Sequence, residues 1–178
     1  METQISKITT VINYNRVAEI IQEAGIVLLD RFNKRNSRHL EGVDTGYVKE
    51  KAEKELVIRE DLISQDIVIN GIKEFDPDAI IYSEELDNMH LLEQDENEIK
   101  FILDPLDGTH NFYFGMPYWG IGLAVLDKQN ESIAGFIYLP ALNIFIKNEG
   151  NNSSTLLKNG NDWIKCNTTA RLLEKSII

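Results

Sequence analysis

Residues Phe101–Phe114 read FILDPLDGTHNFYF. An apolar run ends in two aspartates, Asp104 and Asp107, separated by Pro-Leu and followed at once by Gly108 and Thr109. A plain turn needs one Asp and a Gly. A second carboxylate and a threonine call for a further reason. Either Asp104 ends a strand and Asp107-Gly108 turns the chain into a short helix, or the stretch is a site for something cationic.

A second apolar run, AIIYSEE, also ends in carboxylates, at Glu84 and Glu85. If the two runs are neighbouring strands, three or four carboxylates converge at one sheet edge. Such crowding costs free energy unless cations enter the gap or some groups hold protons. Oxygen-only donors favour hard cations such as Mg2+, Mn2+ or Ca2+ over zinc. Pro105 is expected to break the strand ladder, turning the chain outward after Asp104 and freeing the Leu106 carbonyl as a neutral ligand. Gly108 then permits a tight bend, and Thr109 opens a helix N-terminus whose amides suit an anion such as phosphate. Metal on one side and an anion cradle on the other is the geometry of phosphoryl chemistry.

The surrounding sequence sets the frame. The chain has 178 residues and no repeat, low-complexity tract or Pro/Gly/Ser-rich linker, so residues 1–178 are expected to form a single domain. A formal net charge of -11 argues against nonspecific binding to nucleic acid or an anionic membrane. No apolar run has the length of a membrane span, and METQISKITT has no signal-peptide pattern. The lone cysteine, Cys166, forms no internal disulfide and suits a reducing cytoplasm.

Apolar spacing predicts a helix from about Ile8 to Phe32 and a second from about Asp61, as a possible cap, to Phe75. Between them, RNSRHLEGVDTGYVKEKAEK reads as a loop or hairpin. After Asp76-Pro77-Asp78, short branched and aromatic runs (AIIYS, FILD, GIGLAVLD, SIAGFIYL, NIFIK) read as strands, with DKQNES and PAL as hairpin connections. The expected fold class is α+β, two N-terminal helices layered on a mostly antiparallel sheet.

DPLDGTHNF with the upstream SEE resembles the inositol monophosphatase family of Mg2+-dependent, Li+-sensitive phosphatases. A competing likeness, of LDGT to the haloacid-dehalogenase signature, fails because Pro105 occupies the position of the nucleophilic aspartate. The resemblance covers the whole chain, including KELVIRED and NIFIKNEGNNSSTLLKNG. It implies Glu84, Asp104, the Leu106 carbonyl and Asp107 as Mg2+ ligands, and Asp107, Gly108 and Thr109 as substrate contacts. Glu84 and Thr109, with Asp61 as the partner of Thr109, would prepare a metal-activated water to attack a small phosphate monoester such as inositol monophosphate. No His or Cys is then needed. His39 and His90 are expected at the surface, Cys166 as an ordinary side chain, and His110 inside the motif.

Three departures qualify the likeness. Glu55 and Ile58 stand where the family often has Asp and Thr, and Ser83 stands where Gly usually precedes the paired glutamates. The family also has a C-terminal α/β half with a Trp-Asp motif that completes the metal site. The sequence reaches RLLEKSII about where that half should begin, so only the N-terminal half is expected here, and Trp119 and Trp163 lie in other contexts. Two functional expectations follow: a phosphomonoesterase, intact or completed by another chain, or a non-catalytic remnant or interaction module that keeps the fold. The missing half should expose apolar surface near SIAGFIYLP and SII, inviting self-association or a complementing chain.

Overall fold

The computed structural model describes residues 12–40, 48–50, 56–86, 88–92, 98–150, 155–159 and 162–166. Helix α1 spans Tyr14–Leu40. It starts where the Asn13 side chain accepts the Arg16 amide at 3.1 Å, an N-cap that sets the first described turn. Val17, Ile20, Ile21, Ala24, Leu28 and Phe32 form its buried stripe. The helix runs well past Phe32, through residues expected to be loop. Arg35 is the reason: it is buried, donates from Nε to the Tyr113 carbonyl at 3.2 Å, and stacks its guanidinium 4.1 Å from the Tyr113 ring centroid.

The expected hairpin between the helices is present in part. Strands β1 (Val48–Glu50) and β2 (Leu56–Ile58) pair antiparallel and lead directly into α2 (Arg59–Phe75). Asp61 therefore sits inside the first turn of α2 rather than ahead of it. Its carboxylate reaches back to accept the Ile58 amide at 2.7 Å, which is half of a capping box. Helices α1 and α2 pack closely because a Cβ on Gly71 would lie 2.9 Å from the Ile20 side chain.

A seven-stranded sheet follows: β3 (Ile80–Ser83), β4 (Lys100–Asp107), β5 (Gly120–Leu126), β6 (Ser132–Leu139), β7 (Ile144–Glu149), β8 (Leu156–Asn159) and β9 (Asp162–Lys165), in that spatial order. Every pairing is antiparallel except β3 with β4, which is parallel. DKQNES lies in the β5–β6 connection, and Pro140–Leu142 form a 3-10 turn between β6 and β7, as the sequence suggests. A short helix, α3 (Thr109–Tyr113), separates β4 from β5.

The strands alternate faces. Ile81, Phe101, Leu103, Leu123, Val125, Ala134, Phe136 and Phe145 join the core beneath the helices. Phe32, Phe112 and Trp119 meet with ring centroids 4.9–5.3 Å apart, fixing α1 to α3 and to the start of β5. Among the described residues no helix covers the opposite face. Paired residues there form a row across six strands, Asp104, Gly122, Ile137, Ile146, Leu157 and Ile164. A groove of about 450 Å³ runs along this face, lined in part by Ile102, Gly122, Ala124, Gly135 and Ile146. The final SII stretch and the side chain of His39 lie outside what the structure describes.

Candidate active site

The parallel pairing of β3 with β4 assembles the site. Ser83, the last residue of β3, lies opposite Leu103 of β4, so Glu84 leaves β3 beside the stretch of β4 that carries Asp104. Convergence of the two carboxylate-bearing strand ends, conditional in the sequence, is thus realised by one register. Glu84 opens a 3-10 turn, Glu84–Leu86, and is exposed; Asp104 is half-buried.

Pro105 acts differently from the expectation. It does not end the strand, because β4 continues through Pro105 and Leu106 to Asp107. Asp104 pairs with Gly122 and Asp107 with Gly120, so β4 carries one residue more than β5 over this interval. This is a β-bulge, placed where Pro105 has no N–H to give to the ladder. The extra residue turns Leu106 into the core and leaves Asp107 exposed. The Asp104 carboxylate accepts the Leu106 amide at 3.2 Å, bracing the bulge from inside.

Gly108 follows with φ +82°, the left-handed region that favours glycine. A Cβ there would also lie 2.8 Å from the Tyr118 carbonyl. Asn111 secures the same bend, donating from Nδ2 to the Tyr118 carbonyl at 2.6 Å while its own carbonyl accepts the Met116 amide at 2.8 Å.

Thr109 Oγ1 lies 3.0 Å from Asp61 Oδ1 and 3.0 Å from the Leu106 carbonyl. One hydroxyl proton serves one of these acceptors at a time, unless Asp61 itself carries a proton and donates to Thr109. Burial pushes the Asp61 carboxyl up to about 7; Glu85 adds to the rise, and the Ile58 amide and Thr109 hydroxyl oppose it. The rise favours the protonated form of Asp61, in which the carboxyl can donate to Thr109. The Asp104 carboxyl is also pushed up to about 7, first by burial and then by the negative charges of Glu84, Asp107 and Glu85. Four acidic side chains thus share one field.

Whether this set suits a metal ion turns on donor type and arrangement. Glu84, Asp104, Asp107 and the Leu106 carbonyl offer only oxygen, and no described Lys or Arg forms an ion pair with Asp104 or Asp107. Both features fit a hard divalent cation. Among the described residues, no three His, Cys, Asp or Glu side chains already stand in a metal-holding group.

His90 and His110 are exposed, and Cys166 is partly buried with no charged partner among the described residues. Two supporting amides escape a reading of the sequence. Asn111 lies inside the motif with a structural task, and Asn88 lies a few residues past the paired glutamates. Among the described residues no helix is long and apolar enough to cross a membrane.

The family model described as "Inositol monophosphatase family" matches residues 11–177. A fructose-1,6-bisphosphatase/inositol-1-monophosphatase of Aquifex aeolicus is 33% identical over 128 residues, 71% of this chain and 44% of the relative. A Nus factor SuhB of Haemophilus influenzae is 30% identical over 122 residues, 68% of this chain and 41% of the relative. The Thermotoga maritima IMPase structure aligns with a TM-score of 0.65 at 26% identity, covering 83% of this chain and 51% of that one. This chain spans less than half the length of those two sequence relatives and about half of that structure. With its strand-end carboxylates and its bulged Asp-Pro-Leu-Asp-Gly-Thr corner, the chain belongs to the inositol monophosphatase family.

Proposed function

We propose that this corner is the metal-and-phosphate site of a Mg2+-dependent phosphomonoesterase acting on a small phosphate monoester such as inositol monophosphate. The observation that carries the reading is the parallel β3–β4 register, which sets Glu84 beside Asp104 and crowds the donors that a divalent cation neutralises. Glu84, Asp104, the Leu106 carbonyl and Asp107 would hold Mg2+, which when bound supplies positive charge against the phosphate and acidifies water.

The protein's own residues do the rest. Ionised Asp61 accepts the hydrogen bond from Thr109, so that as Oγ1 takes a proton from an attacking water the Thr109 proton passes to Asp61. Asp107, Gly108 and Thr109 contact the phosphate ester, and Gly108 keeps the backbone close to it. The ester itself is set outside this corner. Relatives carry the names inositol-1-monophosphatase, in Mesorhizobium japonicum, and histidinol-phosphatase, in Chlorobaculum parvum.

The remaining half of a family-length fold, in the same chain or another, is the occupant that fits the open sheet face. The relatives are about twice as long as the matched segment, and the apolar row ends at Asp104, so the covering element also walls the site. Cytoplasmic placement accords with the lone cysteine. A second reading, an interaction module without turnover, is favoured by the same open face.

Phosphate release from inositol monophosphate with and without Mg2+ tests the choice. Mg2+-dependent release, suppressed by Li+ and lost in Asp104→Asn, supports the enzyme. No release from a chain that remains folded supports the interaction module.

A further inference from the structure

The free edge of β3 carries a feature that the family motif does not explain. Among the described strands β3 is the terminal one of the sheet, paired on one side by β4. Asn88 bonds to its backbone. Its Oδ1 accepts the Ser83 amide at 3.0 Å, and its Nδ2 donates to the Ile81 carbonyl at 3.0 Å. One side-chain amide thereby satisfies the outer donor and acceptor that an edge strand leaves open. The bridge spans from Ser83 to Asn88 and closes the chain around the turn that bears Glu84 and Glu85. A second attachment lies further along, where the Tyr82 hydroxyl donates to the Leu91 carbonyl at 3.4 Å. Residues 88–92 thus form a strap along the edge of β3, with its tighter fastening next to Glu84.

We infer that Asn88 is a positioning residue, holding the Glu84 turn against the end of β4 so that Glu84 and Asp104 present their oxygens to one cation. This deepens the proposed function and rests on it for the identity of the cation site. The expected size follows from outer-shell groups in general, whose loss weakens metal affinity about tenfold or more. A merely structural strap would depend on both fastenings alike. A positioning role makes Asn88 matter for the ion and Tyr82 not.

The test titrates Mn2+ into the parent chain, Asn88→Ala and Tyr82→Phe, and follows amide hydrogen exchange at Ser83 without metal. Asn88→Ala should bind Mn2+ about tenfold more weakly, with Tyr82→Phe within about twofold of the parent. The Ser83 amide should exchange about fivefold faster or more in Asn88→Ala, as expected for a lost hydrogen bond. Asn88→Asp keeps the acceptor and should retain Ser83 protection. Parent-like Mn2+ affinity in Asn88→Ala, or equal weakening in Tyr82→Phe, overturns the inference. Unchanged Ser83 exchange in Asn88→Ala overturns it too. A parent that binds no Mn2+, with Ser83 exchange still responding to Asn88, overturns the cation site and with it the role assigned to Asn88, leaving the clamp alone.

Discussion

The two faces of the seven-stranded sheet are built from alternate residues of the same strands, yet they meet different surroundings. On one face Phe101, Leu103, Val125 and Phe136 lie at most 1% exposed beneath α1 and α2. On the other, Ile137 is 49% and Ile164 56% exposed, in a paired row that leads to Asp104. Phe136 and Ile137 are adjacent in sequence and opposite in circumstance. The covered face holds the fold together, and the open face, with the carboxylate corner at its end, is where function requires something more.

Substitutions can break that comparison. Phe136→Ala removes a buried ring from the covered face and should cost about 3–5 kcal/mol, read as a large shift in the urea unfolding midpoint. If Phe136→Ala leaves the midpoint in place, the helix-covered face is not the core. Gly108→Ala lies in the bend that follows the carboxylate corner. It forces a side chain into left-handed backbone against the Tyr118 carbonyl and should destabilise by about 1–3 kcal/mol. A neutral result would mean that the bend has room to relax.

The pH dependence comes next in size. Folded Asp61 keeps its proton up to about 7, against an ordinary value of 3.8. Between about pH 4 and pH 7 the folded state therefore binds more protons than the unfolded state. The Asp61 contribution to stability falls as pH rises through that window. Asp61→Asn removes this slope, so the stability difference between variant and parent should grow from pH 4 to pH 7 in the absence of divalent cations. A constant difference would place Asp61 in water rather than in the core.

The smallest effect is expected on the open face. Ile137→Ser should change the unfolding free energy of the isolated chain by within about 0.5 kcal/mol. It should also reduce any self-association detected by sedimentation, since it interrupts the apolar row. A loss comparable to that of Phe136→Ala would show that the open face is covered in this chain.

What was legible in the sequence follows the range of the interactions involved. The strand runs, both hairpin connections and the Asp-Pro-Leu-Asp-Gly-Thr corner are local patterns, and they stand where expected. The parallel pairing of β3 with β4 is not local: the crossover between them carries no sign of direction, so convergence of Glu84 and Asp104 stayed conditional. Arg35 hid the last turns of α1, because a cation stacked on Tyr113 reads in sequence as surface. Pro105 was expected to break the strand, whereas a bulge absorbs it. Asn88 left no trace, since its work depends on β3 being an edge. The assignment of metal and substrate contacts rests on the motif, and the geometry adds the field that Asp104 shares with Glu84, Asp107 and Glu85.

The end of β3 and the bulged segment of β4 are proposed to hold a divalent cation at the edge of the open face. Mn2+ titrated into isotope-labelled chain reports this directly, by paramagnetic broadening of backbone signals. Broadening should centre on Glu84 and on residues 104–109 and be lost in Asp104→Asn. Broadening centred elsewhere, such as Asp76 and Asp78, or unchanged by Asp104→Asn, would contradict it.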